Sequence, residues 1–298
     1  MSPEPAVNTI VPFNPDETRR LVQRIVDLPT LPIIIPRILR LVEDQRSSAA
    51  DLAKVIGSDP ALASRILRLA NSAFYGFRRE IVSINHAVVL LGFDTVKSIV
   101  LAATVLATLG DGEGVSSFDR EQFWLHVVTT AAAARILGRK LRVVDAETAF
   151  VAGLLHDLGK VVLDRYFYRH YAEAARRAVE SPCLIREAEM ALFSVDHAQV
   201  GRWLAERWRL PPAIIEPVTF HHQPAKASAD HWMLSAVVHL ADILARNAGI
   251  GHGGDRLIPL PEPEVMLRLR LAPADLMRWT EALDEEKDAV KTFLQVMR

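Results

Sequence analysis

The residues of this 298-residue chain best suited to chemistry are its histidines. Eight of the ten lie between positions 126 and 239, several beside carboxylates. The sharpest element is LLHDLGK, residues 154–160, which follows the apolar run FVAGLL. It puts an imidazole, His156, and a carboxylate, Asp157, at one buried helix end. An unpaired buried charge costs several kcal/mol, so something must compensate it. A divalent cation is a natural compensator, and mixed nitrogen and oxygen ligands suit Mn, Fe, Ni or Zn. Lys160, four residues after His156 and three after Asp157, falls on the same helix face, where its ammonium could meet a substrate phosphate.

A His-Asp pair alone is a weak signal, because a salt-bridged structural pair reads the same way. The rest of the set strengthens it. His126 falls in FWLHVVTTAAAARIL, His197 opens HAQVGRWLAERW, His221-His222 closes the segment beginning at Pro211, and Asp242 lies in LSAVVHLADILAR. Each has a plain alternative. His126 and His197 could be satisfied core histidines, His221-His222 could cap a helix C-terminus, and Asp242 could pair with Arg246. Together, five imidazoles and two carboxylates would give two cations three or four protein ligands each.

Helices must position these residues. Apolar residues recur near a 3.6-residue period over 16–27, and again along Ile34, Ile35, Ile38, Leu39, Leu41 and Val42. Ser48 and Asp51 can cap one helix, and Asp59-Pro60 can open the next. Further helices are expected at 83–91, 94–109, 119–141, 145–168, 170–180, 184–193, 196–208, 211–220 and 231–248. One or two amphipathic helices should follow between 273 and 297. No strand-like alternation is present. The glycine-rich stretch Gly110–Ser117 is the expected join between an N-terminal helical bundle (16–110) and a second helical domain (118–248), with a loop and helical extension over 249–298. The fold class is all-α.

Composition narrows the function classes. Hydrophobic residues make up 50% and charged residues 24%, which excludes a disordered chain. Lys and Arg total 35 against 36 Asp and Glu, arguing against a dedicated polyanion binder. The single cysteine, Cys183, excludes an intramolecular disulfide framework or a Cys-rich zinc module. No apolar run approaches the ~20 residues of a membrane span, and the N-terminus lacks a secretory pattern. A soluble cytoplasmic protein is expected.

His126, His156-Asp157 and Asp242 resemble, in order, the His, His-Asp and distant Asp of the HD superfamily of metal-dependent phosphohydrolases. His197 and His221-His222 resemble the enlarged set of the HD-GYP branch, which holds two or more metals. The chain departs from that branch twice. Gln122 stands where a Glu can precede the first His, and HHQPAKASADHWM lacks a Gly-Tyr-Pro motif. Cyclic di-GMP cleavage is therefore not expected. The N-terminal half is more specific. LPTLPIIIPRILRLVED, DLAKVIGSDPALASRILRLANSAFYG and IVSINHAVVLLGFDTVKSIVLA resemble the HDOD family, the HD-related output domain of bacterial signalling proteins.

That resemblance implies an all-helical regulatory domain, often with eroded metal residues, whereas here His126, His156, Asp157, His197, His221, His222 and Asp242 all stand. The function it implies is a signalling protein retaining a pair of divalent cations, with a protein partner in its pathway and a phosphate or nucleotide ligand at the metal site. The alternative is an active phosphohydrolase, a phosphodiesterase or nucleotidase, with Asp157 and Lys160 in catalytic roles. A third reading, a DNA-binding regulator, takes 47–72 as a helix-turn-helix bearing Arg65 and Arg68. It is disfavoured by the apolar positions 62, 66, 69 and 70, which look like core.

Overall fold

The computed structural model describes residues 12–14, 16–18, 20, 37, 38, 41, 46–77, 79–109, 117 and 119–297. Among them are fifteen α-helices, one 3-10 turn and no strand. The helices expected over 16–27 and 34–42, and the join at Gly110–Ser117, lie largely outside the described residues. The N-terminal helices are α1 (Ala49–Gly57), α2 (Pro60–Ala70), α3 (Ile84–Leu91) and α4 (Phe93–Leu109). Their starts are fixed by side chains: Ser48 and Asp51 form a reciprocal capping box, and Asp59 accepts from the Leu62 amide. In the proposed recognition helix, α2, Leu62, Ile66, Leu69 and Ala70 are core, and Arg65 donates to the Ala103 carbonyl on α4.

The second group comprises α5 (Arg120–Leu141), α6 (Ala146–Leu155), α7 (Leu158–Tyr166), α8 (Tyr168–Glu180), α9 (Ile185–Phe193), α10 (His197–Arg207), α11 (Pro212–Phe220) and α12 (Trp232–Ala248). The pairs α5–α6, α5–α12 and α7–α10 pack along their lengths. One expectation fails here. The helix expected over 145–168 is broken at His156-Asp157 into α6 and α7. Successive residues of a continuous helix diverge by about 100°, and the break turns both side chains toward one point. The α7–α10 contact is close: a Cβ on Gly159 would stand 1.9 Å from the His197 carbonyl oxygen, so the position admits only glycine.

Three helices complete the chain: α13 (Pro263–Arg268), which sequence periodicity missed, α14 (Pro273–Glu285) and α15 (Lys287–Met297). The last packs on α2, α4 and α5 and so ties the N-terminal helices to the second group. Its Phe293 ring centroid lies 4.6 Å from that of Phe74, within a set that includes Tyr75 and Phe150. The Arg135 guanidinium sits 3.9 Å over Phe74, a cation on an aromatic face. No helix among the described residues is long and apolar enough to cross a membrane.

Because Phe293 is fully buried in this junction, Phe293→Ala should cost about 3–5 kcal/mol in urea unfolding. Met277→Ala on exposed α14 should stay within about 0.5 kcal/mol.

Candidate metal centre

The break between α6 and α7 places Asp157, with no exposed surface, at the centre of six imidazole and carboxylate side chains. His126 comes from α5, His156 from the end of α6, His197 from the start of α10, His221 and His222 from the end of α11, and Asp242 from α12. The structure brings all seven of these residues together.

The Asp157 carboxylate divides them. Oδ2 lies 3.6 Å from His126 Nε2 and 3.4 Å from His156 Nε2. Oδ1 lies 3.1 Å from His197 Nε2 and 3.9 Å from His221 Nε2. Asp242 joins the first side, with Oδ1 3.1 Å from His126 Nε2 and 3.9 Å from His156 Nε2. His222 joins the second, its Nε2 2.9 Å from His197 Nε2. That is close to the separation, about 3 Å, of two cis nitrogens each about 2.1 Å from one cation.

The ring orientations are fixed from behind. Nδ1 of His156 donates to the Gly153 carbonyl at 2.6 Å, and Nδ1 of His221 to the Val218 carbonyl at 2.8 Å. Nδ1 of His197 donates to Glu189 Oε2 at 2.6 Å, and the same oxygen accepts from the His197 amide. A proton on each Nδ1 leaves a lone pair on Nε2, and it is the Nε2 atoms that face Asp157. The buried atoms with no hydrogen-bond partner include Nε2 of His156 and His221, both ring nitrogens of His126, and Oδ1 of Asp157. Unsatisfied buried polar atoms are rare, and here they converge on one volume. Nitrogen lone pairs and carboxylate oxygens in that arrangement fit divalent cations of the Mn, Fe, Ni or Zn type.

Charge points the same way. The carboxylates of Asp157, Asp242, Glu189 and Asp255 are buried here against the cations Lys160 and Arg246, so neutral imidazoles would leave a deficit of two positive charges. Burial penalises the Asp157 carboxylate, yet His156, Lys160 and His197 outweigh it and hold the group well below its usual range. Burial likewise opposes charge on His197, but Glu189 and then Asp157 push it up to about 9. His221 and His222 are driven well below the usual imidazole range by burial and by neighbouring imidazoles, so they stand neutral. The pocket demands positive charge, from protons or from metal.

Lys160 is in the cluster but does not face open space. Its ammonium donates to Asp157 Oδ2 and to the Gly253 carbonyl, each at 2.8 Å, and it has no exposed surface. Asp242 satisfies both of its sequence readings, since Arg246 donates to Oδ1 at 2.9 Å while His126 faces the same oxygen. The Arg246 guanidinium also binds Asp255, whose Oδ2 accepts from the Ile185 amide at the start of α9. The glycine-rich loop after α12 covers this side. A Cβ on Gly251, at φ +73°, would stand 2.3 Å from the His126 amide, and His252 donates to the Gln122 carbonyl. The loop, Val179 and Arg246 line a cavity of about 480 Å³.

Sequence reasoning missed Glu189, Gly253 and the Arg246–Asp255 link. Glu189 was visible as an acid on the apolar stripe of α9 between Ala188 and Leu192. The loop contacts were not visible, because they run through backbone atoms.

A sequence model of the HDOD domain matches residues 28–224. The chain belongs to the HDOD family. An HDOD domain protein of unknown function from Geobacter sulfurreducens superposes with a TM-score of 0.76 at 25% identity, over 94% of this chain and 95% of that one. A Shewanella amazonensis SB2B protein provisionally named a phosphohydrolase gives 0.72 at 26%, over 93% and 97%. An uncharacterised protein of Treponema pallidum (strain Nichols) is 28% identical over 232 residues, 76% of this chain. The HDOD chain spans 44% of the length of that curated relative.

Asp157→Ala should remove bound metal, because one carboxylate serves both sides, whereas His222→Ala should reduce it less. Glu189→Gln should weaken metal affinity about 10–100-fold by freeing the His197 ring. Competition against a fluorescent chelator reads all three.

Proposed function

We propose that this HDOD protein is a signalling regulator that retains a pair of divalent cations, held by His126, His156, Asp157 and Asp242 on one side and by His197, His221, His222 and Asp157 on the other. The observation that carries the reading is the division of the Asp157 carboxylate between the two sets of imidazoles. A bridging carboxylate at a break between helices is costly to bury and has no structural partner to explain both oxygens. When bound, such a pair would polarise a phosphate oxygen and acidify a bound water. The chain's own part is to fix the imidazole tautomers, supply two buried counter-cations in Lys160 and Arg246, and exclude water.

Regulation is favoured over turnover by what the side chains do. Lys160 is spent on Asp157 and the Gly253 carbonyl, and six of the seven ligand residues are buried, leaving only His222 half-buried. A protein partner, a phosphate or nucleotide ligand and a cytoplasmic location complete the proposal. The alternative, a phosphodiesterase or nucleotidase using Asp157 and Lys160, is favoured by the likeness to the Shewanella protein named as a phosphohydrolase.

Two outcomes test this reading. Protein loaded with Mn or Fe should show no cyclic di-GMP turnover by product chromatography, since the segment after His222 lacks the Gly-Tyr-Pro motif. Robust turnover that vanishes in Asp157→Ala would promote the enzyme reading. Stripping metal with a chelator should lower the Tm, because the ligands come from α5, the α6–α7 break, α10, α11 and α12. At a free metal concentration about 1,000 times Kd the lost stabilisation is about 4 kcal/mol.

A further inference from the structure

The glycine-rich loop over the metal centre also borders the cavity of about 480 Å³, a size suited to a small ligand. Arg246 reaches both. Its side chain is only 6% exposed, and its donors are divided. Nε donates to Asp242 Oδ1, and Nη1 to Asp255 Oδ1 and the Leu257 carbonyl. Nη2 has no acceptor among the described residues. It is nevertheless not one of the sealed atoms that lack a partner, so it opens on the cavity that Arg246 lines.

The loop backbone shows the same surplus of donors. The amides of Gly253, Gly254, Asp255 and Arg256 find no acceptor among the described residues, although Gly253 and Asp255 are buried. Buried amides without a partner are rare. The loop is also held in place, since the Gly253 carbonyl accepts from Lys160 and Asp255 Oδ2 accepts from the Ile185 amide. All four residues line the cavity. Successive free amides around a glycine at positive φ, here Gly254 at +106°, are the elements of an anion-binding nest. A guanidinium nitrogen and several amides around one cavity call for an acceptor within it.

We propose that this cavity binds a small carboxylic acid with an apolar body, its carboxylate held by Arg246 Nη2 and the free amides of the loop. Charge selects the head group. Arg246 and Arg256 balance Asp242 and Asp255, so a carboxylate adds a single negative charge for these donors to stabilise, whereas a phosphate monoester adds nearly two. The walls select the body. Val179, Leu257 and Ile258 line the cavity and are 50%, 38% and 46% exposed, apolar surface that an aliphatic chain would cover. The site does not depend on the cation pair, but its occupant would share one guanidinium with Asp242.

The test titrates the full chain, isotopically labelled at its glycine nitrogens, with hexanoate, hexanamide and hexyl phosphate, and reads the amide resonances by NMR. Hexanoate should shift Gly253 and Gly254 saturably and bind at least about tenfold more tightly than either analogue. Leu257→Glu, which puts a like charge on an exposed wall, should weaken hexanoate about tenfold. Arg246→Lys, which keeps a cation but removes Nη2, should also weaken it about tenfold. If Arg246→Lys lowers the Tm enough to unfold the chain, Leu257→Glu decides alone. Hexanamide or hexyl phosphate binding as tightly as hexanoate would overturn the assignment. So would hexanoate that leaves Gly253 and Gly254 unmoved, or a folded variant that binds it as well as wild type.

Discussion

Burying the Asp157 carboxylate constrains everything around it. A carboxylate with no exposed surface must be compensated on both oxygens. Oδ2 has Lys160 at 2.8 Å, whereas Oδ1 has only imidazole nitrogens beyond 3 Å and no hydrogen bond. The two sides of the centre therefore differ. On the first, side-chain cations already hold one oxygen of each aspartate, Lys160 on Asp157 and Arg246 on Asp242. On the second, Oδ1 faces only His197 and His221, with His222 against His197, and these imidazoles supply positive charge there only by taking up a proton. The second side has the greater need of a cation.

The surrounding architecture serves that constraint. The helix break lets His156 and Asp157 point together, and the missing side chain at Gly159 lets α10 deliver His197 close to them. Backbone carbonyls at Gly153 and Val218, and the carboxylate of Glu189, set the rings from outside. This outer layer continues through His239, whose Nδ1 donates to the His221 carbonyl while Nε2 accepts from the Glu262 amide. The loop after α12 is bound to the same layer through Gly253, so the cover over the centre and its buried lysine are one hydrogen-bonded unit. A change at the loop would reach Asp157 through Lys160, and Asp242 through Asp255 and Arg246.

The convergence of the seven histidines and aspartates was legible in the sequence because these residues are chemically conspicuous, set in apolar helices and in a familiar order. Most helices were legible for a similar reason, since caps such as Ser48 and Asp59 and the 3.6-residue stripe are local signals. The break at 156–157 was half legible: the apolar run FVAGLL marked a helix end at His156-Asp157, but the helical periodicity over 145–168 ran through it, and the need to orient two adjacent side chains is not a local signal. Glu189 required knowing that α9 lies behind α10. The engagement of Lys160 required knowing where a loop 93 residues later would fold. Phe293, which sequence placed in an extension, joins the two groups of helices through aromatic contacts that no local pattern encodes.

The most direct test of this account is anomalous diffraction from crystals of protein purified without a histidine tag, collected at the absorption edges of Mn, Fe, Ni and Zn. Two peaks flanking the Asp157 carboxylate, one within ligand distance of His126 and His156 and the other of His197 and His221, are the predicted result. A map with no peak, with the Lys160 and Arg246 ion pairs and a protonated His197 as the sole compensation for the buried carboxylates, would contradict it.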